Sequence, residues 1–159
     1  MSITVRDAQP QEAGVILGFI RELASYERLL DAVRATEDDV RALLFGPQPR
    51  AFCVLALLED EPVGFALWFY NVSTFLGRHG LYLEDIFVRP QHRGCGAGRA
   101  MLANLARRCV AENLGRMEWS VLDWNAPALA FYDSIGAIAQ SEWVGRRLSG
   151  EGLVRMAQG

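Results

Sequence analysis

The sequence predicts a mixed α/β fold with a mostly antiparallel central sheet, flanking helices and one central strand–helix–strand unit. First, β-prone segments and helically spaced segments follow one another along the chain without an internal repeat. Second, residues 81–110 have the pattern of a strand, a glycine-rich turn and a helix. Because another strand pattern follows, this unit is expected to be a right-handed crossover. Third, 159 residues of 51% hydrophobic content suffice for one core, so residues 1–159 are expected to form a single domain.

The elements before the glycine-rich turn follow from apolar spacing and from helix and strand breakers. A short strand is expected first, followed by a helix with an amphipathic face. Thr36 and the three acids after it are typical of a helix start, and Gly46 and Pro47 end that short helix. An antiparallel hairpin and the central strand come next. The expected strands are 3–6, 51–58, 63–72 and 81–88, and the apolar positions of the first helix are 15, 16, 19, 20 and 23.

After the turn, Met101 to Cys109 show helical spacing, and Gly115 ends that helix. Asn125 is expected to cap a further helix with Pro127 in its first turn. Gly136 is expected to end this helix in a left-handed conformation. Strands are expected at 117–122, 138–144 and 152–156.

The glycine-rich turn carries the clearest chemical signal. Gly94, Gly96 and Gly98 precede a helix start, where unpaired N–H groups and the helix dipole favour an anion such as a phosphate. A P-loop would require Gly-Lys-Ser/Thr, and the chain has no lysine. A dinucleotide-binding turn usually follows an uncharged strand, whereas this strand carries Glu84 and Asp85. That alternative and a simple tight turn remain open on the residues alone.

The turn also resembles a family signature. Arg93-Gly-Cys-Gly-Ala-Gly98 is similar to the Arg/Gln-x-x-Gly-x-Gly/Ala motif of the GNAT superfamily of N-acetyltransferases. The flanking residues match at family spacing, and the match covers nearly the whole chain. Residues 20–27 are similar to the opening helix of the diamine (spermidine/spermine) and thialysine acetyltransferase branch. The matching flanks are Leu83–Val88, Trp124–Pro127, Ala130–Tyr132 and Gly136–Ala137.

The resemblance implies acetyl-coenzyme A as the co-substrate and direct transfer of its acetyl group to a small primary amine: a polyamine, a diamine or a lysine-like amino acid. The backbone of Ile86, Phe87 and Val88 is then expected to bind the pantetheine arm, which Asn125 also contacts. The diphosphate is expected at the loop, formed by Arg93, Gly94, Cys95, Gly96, Ala97, Gly98 and Arg99.

Transfer to an amine requires removal of a proton from the ammonium and a proton for the departing thiolate. Glu84 is the candidate for the first role, directly or through water, and Tyr132 for the second. Strand alternation sends Glu84 and Asp85 to opposite faces unless a bulge intervenes. The resemblance implies that Tyr26, Glu27, Glu84 and Asp85 contact the amine. A solvated or salt-bridged carboxylate at Glu84 and a core aromatic at Tyr132 are the alternatives.

The charge, the apolar runs and the cysteines of the chain exclude several classes of partner and site. A net charge of −3 argues against a nucleic-acid binder, and no apolar run approaches the ~20 residues of a membrane span. The N-terminus shows no secretory pattern, so a cytoplasmic location is expected. Three widely spaced cysteines with no Cys/His cluster predict no metal site and reduced thiols. The resemblance also implies a homodimer.

Two other functions remain open: acetylation of a protein N-terminus or lysine, and a domain that senses an acyl-coenzyme A without turnover. Ser141–Leu148 departs from the diamine branch, because it has a tryptophan and an extra arginine where that branch tends to be acidic. An arginine there is suited to a substrate carboxylate, which favours an amino acid such as thialysine. Asp123 is a further acid that would attract the cation.

Overall fold

The computed structural model describes residues 2–159, which form five strands and five α-helices. The strands are β1 (Ile3–Asp7), β2 (Phe52–Leu58), β3 (Glu61–Ser73), β4 (Arg78–Val88) and β5 (Met117–Trp119). The helices are α1 (Ala13–Tyr26), α2 (Glu37–Phe45), α3 (Ala97–Ala111), α4 (Ala126–Ser134) and α5 (Gly150–Ala157). The chain divides into two units: the first ends at Ser120 and contains the sheet, and the second, Val121–Gly159, contains α4 and α5.

The first unit is one sheet with the strands in sequence order, β1-β2-β3-β4-β5. The pairs from β1 to β4 are antiparallel, whereas β4 and β5 are parallel and are joined through α3. This arrangement confirms the predicted mostly antiparallel sheet with one central strand–helix–strand unit. Since the glycine loop lies between β4 and α3, the crossover places the start of α3 directly after the end of β4.

Helices α1 and α2 pack against the sheet as one group, and α3 packs against it separately. Apolar side chains of α1 and α2 form one buried cluster with β2, β3 and Phe87, and Phe19 stacks on Phe65 with ring centroids 5.6 Å apart. On α3, Met101 and Leu105 are fully buried. A Cβ on Gly64 would lie 3.3 Å from Met101 Cε and 2.6 Å from the Phe87 carbonyl oxygen, so glycine permits this close packing.

Local sequence signals placed the helix ends well. The side chain of Thr36 accepts from the Asp39 N–H, and the Asp39 carboxylate accepts from the Thr36 N–H, which forms a capping box. Gly136, with φ 81°, ends α4 in the left-handed region, and its N–H bonds the Asp133 carbonyl. Both features match the prediction.

The predicted C-terminal strands are wrong. Residues 138–149 form neither helix nor strand, residues 150–157 form α5, and the predicted strand 117–122 is shortened to β5. Gln140, Ser141 and Glu142 interrupt the apolar residues of the first segment, and the Gln140 side chain bonds the Ile138 carbonyl at 3.1 Å. In α5, Glu151 and Arg155 pair at helical spacing, 3.6 Å apart.

Within residues 2–159, no helix combines the length and the apolar character needed to cross a bilayer. The same residues contain no group of three or more His, Cys, Asp or Glu side chains placed to hold a metal ion.

Candidate functional site

Strand β4 changes its pairing where its two acids lie. Asp85 pairs with Leu67 of β3, but Leu83 pairs with Trp68, so Glu84 is an extra residue that forms a β-bulge. The alternation of side chains between the two faces of the sheet is therefore broken at Glu84. Glu84 and Asp85 were expected on opposite faces unless such a bulge was present. Glu84 is exposed and Asp85 is half-buried.

The pairing of β4 with its other neighbour, β5, ends close to this bulge. β5 pairs with β4 only at Leu81, Tyr82 and Leu83, so the parallel ladder ends before Ile86. The expected pantetheine-binding residues, Ile86–Val88, thus lie beyond the last paired residue of this edge. Phe87 is buried in the cluster beneath α1, and Ile86 and Val88 are half-buried.

The glycine loop joins β4 to α3 through one 3-10 turn, Pro90–His92. Gly94 and Gly96 have φ of 81° and 89°, a conformation that other residues adopt only with strain. An ideal Cβ on either glycine would meet no heavy atom within 4 Å, so backbone conformation rather than crowding requires glycine here. Gly96 is also the N-cap of α3, and no side chain in residues 2–159 caps that helix.

The start of α3 is suited to an anion. The Ala100 N–H bonds the Gly96 carbonyl at 2.9 Å, whereas helix geometry leaves the N–H groups of Ala97 and Gly98 without carbonyl partners inside the helix. The positive end of the helix dipole reinforces this site. Cys95 is an exposed free thiol in the same loop, and Arg99 is exposed in the first turn of α3.

The approach to the loop is held by Arg89. Its Nε donates to Glu22 at 3.1 Å, its Nη1 donates to the Pro62 carbonyl at 3.2 Å, and its guanidinium lies 4.7 Å from the Phe19 ring centroid. These contacts tie the end of β4 to α1. No local sequence pattern predicts these contacts, because Glu22 and Arg89 are far apart along the chain.

Three acids, Glu27, Glu84 and Asp85, interact electrostatically near the end of β4. Burial, together with the negative charges of Glu84 and Glu27, raises the pKa of Asp85 from 3.8 to about 6. Glu27 is the C-cap of α1, and burial raises its pKa above the ordinary value. A cation placed among these carboxylates would offset both the cost of burying their charge and the repulsion between them.

Tyr26 is the last residue of α1 and packs at the margin of the buried cluster. The sequence therefore correctly placed Tyr26 and Glu27 at the end of the first helix. Whether they contact a substrate stays a prediction.

The second unit contains the other two predicted site residues. The Asn125 side chain accepts from the Ala128 N–H at 3.4 Å and caps α4, with Pro127 in the first turn, as predicted. Tyr132 lies on α4, half-buried, with its ring centroid 5.8 Å from that of Phe131.

Comparison with known proteins shows which family this chain belongs to. The pattern of the Acetyltransferase (GNAT) family matches residues 14–137. The thialysine N-epsilon-acetyltransferase of Sus scrofa is 35% identical over 98% of this chain and 98% of its own length. The L-ornithine N5-acetyltransferase of Arabidopsis thaliana is 30% identical over 94% of this chain and 85% of its own length. An integron cassette protein of V. cholerae has a similar structure, with a TM-score of 0.82 and 26% identity over 100% of this chain and 99% of its own.

These matches define an acyl-transferring enzyme. The chain belongs to the GNAT family and is a GNAT-family N-acetyltransferase. GNAT acetyltransferases generally use acetyl-coenzyme A as the acyl donor, and the similarity to amine acetyltransferases supports an amine as the acceptor.

Proposed function

We propose that this protein transfers the acetyl group of acetyl-coenzyme A directly to a primary amine of a small cationic molecule. The observation that carries the proposal is the interaction of three carboxyls: Glu27 at the end of α1, and Glu84 and Asp85 on β4, the strand that leads to the glycine loop. An amine acceptor is cationic at neutral pH, and a group of acids that repel one another, with Asp85 half-buried, favours such a ligand.

The donor side of the proposal rests on the loop. Left-handed glycines at 94 and 96 leave the backbone open to close approach, and the start of α3 adds oriented N–H groups. The proposed diphosphate-binding groups are the backbone N–H groups of the loop from Arg93 to Arg99. The backbone of Ile86–Val88 and the Asn125 side chain are the proposed partners of the pantetheine arm.

The proposed chemistry divides between two residues. Glu84, exposed on the bulge, holds the ammonium and receives its proton directly or through a water molecule. The freed amine nitrogen then bonds to the acetyl carbon as the carbon–sulfur bond breaks. Tyr132 provides the proton that converts the departing thiolate to a thiol, since a phenol remains protonated at neutral pH.

The proposed substrate class is an amino acid or diamine with a second, distal amine. Thialysine and ornithine, named for two relatives, are amino acids of this kind. Three acids also exceed what a single ammonium needs, which favours a substrate with two cationic groups. Homodimer formation, which the family resemblance implies, and a cytoplasmic location, which the sequence analysis expects, are also parts of the proposal.

The test is the release of free thiol from acetyl-coenzyme A in the presence of single acceptors. The acceptors are L-ornithine, thialysine, putrescine, spermidine, propylamine as a matched monoamine, and a peptide with a free N-terminus. Thiol release with the dicationic acceptors, and weakly or not at all with propylamine, is the expected result.

Mass spectrometry of the product identifies the acetylated nitrogen, which is expected to be the distal amine of ornithine and thialysine. Release with the peptide alone would reject the small-amine proposal. Binding of acetyl-coenzyme A without thiol release from any acceptor would instead favour a sensing domain.

A further inference from the structure

The side chain of Arg93 turns away from the glycine loop and onto the end of α1. Its Nε donates to the Val88 carbonyl at 3.2 Å. Its guanidinium carbon lies 4.6 Å from the centroid of the Tyr26 ring and 5.8 Å from that of Phe87. One side chain therefore joins the first residue of the loop motif to the last residue of β4 and the last residue of α1.

The contact with Tyr26 is suited to arginine in particular. A planar guanidinium stacks on an aromatic face and can still donate through Nε, which a lysine ammonium cannot reproduce in the same geometry. No carboxylate among residues 2–159 forms a salt bridge with Arg93, so the nearby acids are not neutralised by it. The contacts that the structure gives for the Arg93 side chain are instead with Val88, Tyr26 and Phe87.

The position of Tyr26 gives this contact a consequence for the acids. Glu27 follows Tyr26 directly and caps α1, and its charge acts on Asp85 of β4. A change in the position of Arg93 would therefore alter one contact of Tyr26, the residue next to Glu27. Arg93 therefore links the loop to the end of α1, since its backbone belongs to the loop and its side chain contacts Tyr26.

We propose that Arg93 is a positioning residue that couples binding of the donor at the loop to the readiness of the amine site. When a diphosphate fixes the loop backbone, Arg93 fixes Tyr26 and Glu27 in turn, and the acid group is held for the ammonium. This inference rests on the function proposed above. It also assigns the Arg93 side chain to α1 rather than to the phosphates. By thermodynamic linkage, coenzyme A and the amine must each raise the affinity of the other by the same factor.

Hydrogen–deuterium exchange with free coenzyme A tests the coupling without turnover. In the unaltered chain, coenzyme A is expected to slow exchange both in the loop, residues 94–100, and at the end of α1, residues 20–28. In Arg93→Gln, protection of the loop should remain and protection of α1 should be lost. Arg107→Gln, which removes a charge from the exposed face of α3, is the matched control and should behave as the unaltered chain.

Steady-state kinetics with L-ornithine gives a second measurement. Loss of one cation–π contact corresponds to an increase of about 3- to 10-fold in the KM for the amine in Arg93→Gln. The KM for the amine should rise by a larger factor than the Kd for coenzyme A measured without amine, because the backbone N–H groups of the loop remain. Arg93→Lys should restore part of the amine KM. If Arg93→Gln fails to fold, Tyr26→Leu, which removes the ring and keeps the arginine, should likewise lose the protection of α1 by coenzyme A in the exchange measurement made without amine.

Two results would overturn the inference while leaving the proposed function intact. One is an increase of about 10-fold or more in the Kd for coenzyme A in Arg93→Gln, which is the expected size for loss of a charge-assisted phosphate contact. The other is equal protection of α1 in the variant and the unaltered chain. Absence of any protection of the loop in the unaltered chain would instead reject the proposed donor site, and the coupling with it.

Discussion

The Asp85→Asn variant is expected to be more stable than the unaltered protein at neutral pH. Burial, with the charges of Glu84 and Glu27, raises the pKa of Asp85 from 3.8 to about 6. Compared with the unfolded chain, the folded protein therefore favours the protonated form of this carboxyl. The stability associated with the neutral form is fully present below pH 3.8 and is lost as the pH rises through about 6.

The size of the effect follows from the same pKa. A difference of about 2.2 pH units, at about 1.36 kcal/mol for each, corresponds to about 3 kcal/mol at pH 7.5. Asparagine has nearly the same shape and no charge, so the variant should gain about this amount at pH 7.5. At pH 5, where most of the folded protein already has a neutral Asp85, the gain should fall to about half.

Urea unfolding at pH 5 and at pH 7.5 measures both gains as free energies of unfolding. Asp31→Asn, at an exposed position of the same unit, is the matched control and should change stability by less than about 0.5 kcal/mol. A variant that is no more stable than the unaltered protein at pH 7.5, or one with the same gain at both pH values, would refute the burial and repulsion assigned to Asp85.

The gain in stability should be accompanied by a loss of amine binding. A cationic amine relieves the same repulsion that asparagine removes, so the two effects cannot add. L-ornithine should raise the Tm of the unaltered protein and raise that of Asp85→Asn much less. An equal shift in both proteins would place the amine away from Asp85.

Three further variants test separate parts of the site. Tyr132→Phe should lower kcat by at least ~10-fold with little change in the Kd for coenzyme A, and near-normal turnover would exclude Tyr132 as the acid. Glu84→Gln should raise the KM of dicationic acceptors more than that of a monoamine; equal effects on all acceptors would show that Glu84 does not hold the cation. Gly96→Ala should cost about 1–3 kcal/mol in the free energy of unfolding, measured with urea, because its φ of 89° strains any side chain. Gly98→Ala, at a helical position with the nearest heavy atom 4.0 Å away, should fold normally, so an equal loss in both variants would contradict the assigned strain.

The sequence was informative wherever the determining residues are neighbours in the chain. The loop and the start of α3 follow from closely spaced glycines and helical apolar spacing. Asn125 and Gly136 are likewise local signals that the ends of α4 confirm. The meander of strands also follows from local turns and apolar runs.

The features that the sequence did not predict depend on distant partners. The bulge at Glu84 exists because Leu67 and Trp68 of β3 pair with residues on either side of it. The contact between Arg93 and Tyr26 depends on the packing of α1 beside β4. The sequence suggested phosphate as the partner of Arg93, since an arginine beside a glycine loop has that association.

The prediction of strands in the C-terminal segment, residues 138–156, was wrong for a different reason. Its apolar residues are few and irregularly spaced, and residues 152–156 fit a strand or a helix about equally well by composition. The pair between Glu151 and Arg155 is a helical signal that the strand assignment ignored.

A crystal structure with coenzyme A bound tests the central proposal most directly. The N–H groups of residues 94–99 are expected to donate to the diphosphate, and the pantetheine arm is expected to run along residues 86–88 of β4. Electron density for the diphosphate at any other surface, with the glycine loop making no contact to it, would contradict the account.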